Sequence, residues 1–181
     1  MEYITIVDET GKIIGTEEKN KCHHGAGILH NAFLVMLFNE KAQLMLAKRS
    51  QQKMLWPDYW DGTVASHYHE DVSQMERIQQ RIFYETGANC PQVEYLFKFR
   101  YHLAYEDIGS ENEICDVFVA HDLQSDQLSL NKVEISEYKF LEISDVVEKI
   151  GANSQKIAPW FLIAFEKYLE AQESYHPGVT R

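Results

Sequence analysis

Hydrophobic and polar positions divide the chain into short strand-like runs interrupted by two clear helical patterns. Residues 2–7 and 12–15 are β-rich and flank the turn signal Asp8-Glu9-Thr10-Gly11, which predicts an opening hairpin. Thr16 then stands where a helix N-cap is expected, ahead of the polar run Glu17-Glu18-Lys19-Asn20-Lys21. Five further runs, starting at Asn31, Leu44, Val93, Ile114 and Glu137, are dense in Val, Phe, Tyr, Ile and Leu over strand lengths. Met75, Ile78 and Ile82 recur at i, i+3 and i+7, and the pattern stops at Gly87; this predicts a helix from about residue 73 with a glycine C-cap. The segment from Ala158 predicts a second helix, with Pro159 near its first turn and Trp160, Ile163, Ala164 and Tyr168 on one face. The tail from Glu173 is expected to fray. Strands on both sides of an internal helix, followed by a C-terminal helix, predict an α/β fold: an α/β/α sandwich with a mixed β-sheet.

Length and composition narrow the function. A chain of 181 residues, 45% hydrophobic, supports one sizeable core, so a single domain over residues 1–181 is expected. No internal repeat, low-complexity block or linker interrupts it. The net charge of -11 argues against an electrostatic grip on nucleic acid or an anionic membrane, because both rely on clustered Lys and Arg. A small-molecule ligand is the better expectation, with the protein a monomer or small homo-oligomer. The start lacks a basic leader and no run approaches about 18 apolar residues, which predicts a cytoplasmic protein. Cys22, Cys90 and Cys115 are an odd count without paired spacing and are expected to be free thiols.

Candidate chemistry is unevenly placed. His23, His24 and His30 precede the first core strand, while His67 and His69 follow the Trp56/Trp60 pair. Glu111 and Glu113 lie on alternate positions of a strand and hence on one face of the sheet. Three imidazoles with two carboxylates would form a mixed N/O shell suited to Mn²⁺ or a similar ion; the alternative is surface histidines and a solvated turn that never meet. Lys19, Arg49, Lys53, Arg81 and Arg100 stand out in an acidic chain. Converging, they would grip a diphosphate; separately, each is a solvated surface charge. Arg81 and Glu85 are spaced i, i+4, which reads either as a helix salt bridge or as one phosphate ligand and one cation ligand. Trp56, Trp60, Tyr101 and Trp160 are core residues by default, and their ring faces would also stabilise a passing carbocation.

Taken in order, the stretch from Glu17 to His23, then His30, Lys48-Arg49, Lys53, Trp56-Pro57-x-x-Trp60, Ser66-His67, Arg81-x-x-Tyr84-Glu85-Thr86-Gly87, Phe99-Arg100-Tyr101, Glu111 to Cys115 and Pro159-Trp160 resembles the type 1 isopentenyl diphosphate isomerases of the Nudix superfamily. The resemblance covers about residue 3 to about 168. It implies that His23, His30, His67, Glu111 and Glu113 bind a catalytic divalent metal, Mn²⁺ or Zn²⁺. It also implies that Glu85 holds a Mg²⁺ accompanying a prenyl diphosphate substrate contacted by Lys19, Arg49, Lys53 and Arg81. Glu113 and Tyr101 would supply the proton side of the reaction and Trp160 would shield the tertiary carbocation.

One position departs from the family pattern. Where the family has a catalytic cysteine, this chain reads Ala65-Ser66-His67-Tyr68, and alanine neither gives nor accepts a proton. Cys115 does not replace it, since the family has a cysteine there too; Cys22, beside His23, is a weak substitute because nothing aims it inward. The Nudix hydrolase box falls on Ser66, Val72, Gln80, Arg81, Ile82, Tyr84, Glu85, Gly87 and Ala88, so that of its carboxylates only Glu85 survives. A pyrophosphohydrolase needs several. The expectation is an isomerase-like enzyme on a prenyl diphosphate, acting by alkene protonation and rearranging or cyclising its substrate for want of the cysteine. The alternatives are an ordinary isomerase with a substitute base such as Ser66 or water, a non-catalytic binder of prenyl diphosphates, and a Nudix pyrophosphohydrolase.

Overall fold

The computed structural model describes residues 2–89 and 92–175; the expectation for Cys90 lies outside them. The chain opens on a hairpin of β1 (Tyr3–Val7) and β2 (Ile13–Glu18). Its turn is held by the Asp8 carboxylate, which accepts bonds from Thr10 N (2.9 Å), Thr10 Oγ1 (2.6 Å) and Lys12 N (3.1 Å). Thr16 is not an N-cap. It pairs with Thr5 in the hairpin ladder, and α1 is one turn, Lys19–Cys22, begun at Glu18 without a side-chain cap.

The sheet is organised around β3 (His30–Asn39), all ten of whose residues are buried. One edge of β3 pairs in parallel with β8 (Gly109–Leu123), which pairs antiparallel with β7 (Glu94–Tyr105). Its other edge meets β1 at His30, β6 (Val64–His67) along Ala32–Val35, and β4 (Leu44–Arg49) at Phe38. β4 continues to β5 (Trp60–Asp61) and β9 (Ile135–Leu141). β5 and β6 are absent from the sequence expectation, because at two and four residues they are too short to show a period.

Alternation along β3 sends side chains to two cores. Phe33, Val35 and Leu37 face α2 (Gln74–Thr86) through Ile78 and Ile82. Leu34, Met36 and Phe38 face α3 (Ile143–Asn153) and α4 (Pro159–Tyr175) through Val146, Phe161 and Phe165. This is the mixed-sheet α/β/α arrangement expected. The α2 boundaries follow from Ser73, whose Oγ accepts from Glu76 N (3.3 Å), and from Gly87 in the left-handed region at φ 75°. The inward stripe of α2 begins at Ile78, since Met75 is 40% exposed. α3 was not expected. α4 continues through Tyr175, and the rest of the expected fraying tail lies outside the described residues.

One glycine fixes how the histidine-bearing loop lies on the sheet. A Cβ at Gly109 would collide with the backbone carbonyl oxygen of His23, the atom that accepts from Ser110 N at 3.0 Å. Gly109→Ala is expected to cost about 1–3 kcal/mol, the scale of overpacking. Urea unfolding would show a lower midpoint at an unchanged slope.

Candidate active site

Five ionisable side chains gather at the end of β3. His23 is the C-cap residue of α1, His30 opens β3, His67 closes β6, and Glu111 and Glu113 lie two apart on β8. The register does the placing, since His30 sits opposite Glu113 across the parallel pair and His67 opposite Ala32 across the antiparallel one. All five are buried, and each offers a ligand atom within 4.8 Å of all the others. Nε2 of His23 lies 2.9 Å from Glu111 Oε2, while Nε2 of His30 and of His67 lie 3.1 and 3.0 Å from Glu113 Oε1.

The cluster has the chemistry of a divalent-cation site. Nδ1 of His23 donates to Lys19 O and Nδ1 of His30 to Ile28 O, each at 2.7 Å. Those bonds fix the tautomer and turn both Nε2 lone pairs inward. Glu111 Oε2 is buried without a well-aligned hydrogen bond despite its closeness to His23, which is the arrangement a shared cation satisfies. Burial, reinforced by the neighbouring His23 and His30, holds His67 well below the ordinary imidazole range and hence neutral, as a metal ligand must be. For His23 burial also pushes downward, but the Glu111 carboxylate 2.9 Å from its Nε2 outweighs that and the net shift is upward. Burial raises Glu113, but the hydrogen bond and charge of His30, the hydrogen bond of Tyr101 and the charge of His23 bring it below its ordinary value. The Tyr101 hydroxyl donates to Glu113 Oε2; burial and then the Glu113 charge push the phenol well up, so it keeps its proton.

A cavity of about 280 Å³ opens beside this cluster, walled by Tyr101, Glu113, Trp160, Leu34, Ala65 and Ser66 among others. The Trp160 indole is fixed on several sides. Its Nε1 donates to both oxygens of Asp61 (3.0 and 3.1 Å), Trp56 meets it edge-on at 5.1 Å, and the Arg49 guanidinium lies 4.9 Å from the ring centroid. Tyr101 stacks nearly parallel to it at 6.4 Å. Trp60 belongs elsewhere, beneath Lys139 and Lys149. Cys115 lines the cavity with its thiol pushed well up by burial; Cys22 is buried outside it, pushed up to about 11 by burial.

The basic residues at the cavity mouth are already partnered. Lys19 pairs with Glu2 (2.9 Å), Lys53 with Glu134, and Arg81 with Glu85 (2.6 Å) and Glu134 (2.9 Å). Arg49 donates to Leu55 O (2.7 Å) and Trp56 O (3.0 Å) and lies 3.4 Å from Asp61. Lys19, Arg49, Lys53 and Arg81 all line the cavity. Arg100 does not: it pairs with Glu9 on the exterior. His69 is engaged with Glu2 (3.1 Å), and neither it nor His24 joins the cluster. Glu85 is buried against Arg81, apart from the five-residue group. Glu134 lines the cavity, and Glu2 and Asp61 pair with its basic residues Lys19 and Arg49; no motif in the sequence marks any of the three.

A NUDIX domain model matches residues 28–161. The isopentenyl-diphosphate Delta-isomerase 1 of Photorhabdus laumondii is 33% identical over 162 residues, covering 89% of this chain and 91% of that protein. An isopentenyl-diphosphate Delta-isomerase of Halobacterium salinarum is 34% identical over 173 residues, covering 92% of this chain and 80% of that protein. The chain belongs to the isopentenyl-diphosphate isomerase family, within the Nudix superfamily. Among solved structures, a Deinococcus radiodurans protein shares the fold at a TM-score of 0.66 and 17% identity, over 83% of this chain and 90% of that one. A MutT protein of Methanosarcina mazei does so at 0.62 and 16%, over 80% and 95%. For this member of the isomerase family, no helix among the described residues is long and apolar enough to cross a membrane.

A divalent cation held by the cluster would stabilise the folded state. Mn²⁺ at about 100 times its Kd is expected to raise the unfolding free energy by about 2.7 kcal/mol. His30→Ala should abolish that increment in a thermal or urea titration with and without metal.

Proposed function

We propose that the protein is a metal-dependent isomerase of a prenyl diphosphate, which protonates an alkene and passes through a tertiary carbocation. The observation that carries this reading is the Tyr101–Glu113 pair: a buried proton-bearing hydroxyl on a buried carboxylate, at the boundary between the His/Glu cluster and an aromatic-walled cavity. His23, His30, His67, Glu111 and Glu113 would hold the divalent cation, Mn²⁺ or Zn²⁺. When bound, the ion supplies a fixed positive charge that makes the neighbouring proton donors more acidic.

The chain's own residues divide the rest of the work. Glu113 and Tyr101 deliver the proton to the terminal carbon of the alkene. The Trp160 ring faces the cation, whose attraction to the π surface is on the order of 0.5–2 kcal/mol. Lys19, Arg49, Lys53 and Arg81 take the diphosphate, with Glu85 as the ligand of its Mg²⁺. The cavity of about 280 Å³ favours a short prenyl chain. That is at the lower end of ligand pockets, roughly 300–1,000 Å³. A cyclisation needs a second alkene folded into the same space, so the 1,3-proton shift is the better-supported outcome. Ala65 has no group that could remove the second proton.

Glu113→Gln is expected to lower kcat on isopentenyl diphosphate on the order of 10²–10⁴-fold, the scale of general acid catalysis, with diphosphate affinity nearly unchanged. The check is deuterium incorporation from D₂O, read by NMR, with metal content measured on the same samples. Undiminished turnover would remove the acid from Glu113.

A further inference from the structure

A 1,3-proton shift needs two exchanging groups, one adding a proton at one carbon and one removing it from another. On the isomerase reading above, the Glu113–Tyr101 pair on β8 and β7 is the first. Ala65 offers no second, and Cys115 stands two residues from Glu113 on the same strand and face, its thiol kept protonated by burial. Ser66 carries a hydroxyl that is a weak base at neutral pH.

We infer that Asp61 is the second proton-exchanging group, acting as a general base through one water seated behind Ala65. Its carboxylate is buried and lies at the edge of Trp160, with both oxygens accepting the indole N–H. A second, small cavity of about 10 Å³ is bounded by Asp61, Thr63, Ala65 and Glu134 among others. Ala65, Arg49, Lys53 and Glu134 line both this space and the main cavity, so the two adjoin at Ala65. The volume is close to the smallest that admits one water, and its walls offer the two to four polar partners a water needs.

The step balances without a co-reactant. The alkene π pair takes a proton from the Glu113–Tyr101 side; the C–H bond next to the cationic carbon breaks, and its electron pair becomes the new double bond. The released proton passes to the water as the water gives one to Asp61. The diphosphate is retained, and solvent exchange returns both groups to their starting state.

The surroundings suit Asp61 to this role. Burial pushes its carboxyl up to about 6, against the opposing effects of Arg49 on β4, Trp160 on α4, the Gly62 N–H and Lys53 in the loop after β4. Cys115 on β8, Glu85 on α2 and Glu134 in the loop before β9 complete the titratable groups around it. A base that ionises near neutrality is matched to proton transfer there.

The test is Asp61→Asn, nearly isosteric, assayed on isopentenyl diphosphate with metal across pH 5 to 9. Wild-type kcat/KM should rise with pH through about 6 as Asp61 ionises. The variant should lose that limb and fall on the order of 100-fold in kcat, with KM changed by less than about threefold. Adding a thiol beside that space, Asp61→Asn with Ala65→Cys, should restore at least about tenfold in kcat without restoring the limb near pH 6. Trp160→Phe, which leaves Asp61 in place, should move the limb up by about one pH unit through loss of the indole hydrogen bond. An unchanged kcat in Asp61→Asn, or a limb that persists in it or stays fixed in Trp160→Phe, would overturn the assignment. A wild-type protein that incorporates no deuterium into isopentenyl diphosphate would instead remove the isomerase reading, and this inference with it.

Discussion

The parallel pairing of β3 with β8 is the constraint from which the site follows. With His30 opposite Glu113, the alternate positions Ala32/Cys115, Leu34/Val117 and Met36/Val119 share one face and form the floor of the α3/α4 core. Phe33, Val35 and Leu37 face the other way, toward α2. A slip of one residue would send His30 and Glu113 to opposite faces and exchange both cores at once. Because every residue of β3 is buried, that register is strongly determined. β6 adds His67 on the opposite edge, so side chains distant in sequence converge without any local motif.

Concentrating five ionisable groups at a strand end is costly for folding, because each loses water. The structure offsets the cost by pairing. Each histidine Nε2 meets a carboxylate, two of the three Nδ1 atoms meet backbone carbonyls, and Tyr101 closes the remaining side of Glu113. The aromatic wall beside it serves two ends, since Trp160 is a core residue of α4 and also a cavity lining. Rigidity there comes from its polar edge: Asp61 pins the indole nitrogen while Trp56 and Arg49 restrict the ring.

Much of this was legible in the chain. The long strands betray themselves by β-branched and aromatic density, and α2 by Ile78, Ile82 and its two caps. The His/Glu cluster was legible only as an ordered pattern of residues, because spacing by itself leaves His30 and Glu113 unrelated until β3 and β8 pair. Thr16 was misleading: its capping chemistry is real, yet ladder bonds to Thr5 prevail. α3 was overlooked although Ile143, Val146 and Ile150 recur at helical spacing. Asp61 and Glu134 were invisible for a different reason. A lone carboxylate in a loop or short strand carries no periodic signal, and its meaning depends on which cation or donor the fold brings to it.

The partnered state of the basic residues changes what kind of receptor the cavity mouth is. Lys19, Lys53, Arg81 and Arg49 do not present bare positive charge; Glu2, Glu134, Glu85 and Asp61 already lie against them. An anion binding among them would therefore do so by exchange, displacing carboxylates that then need a counter-charge of their own. On the proposed function, a diphosphate accompanied by a divalent cation would provide for both halves of that swap, and recognition would consist in re-pairing charges already matched, not in attraction to an open basic patch.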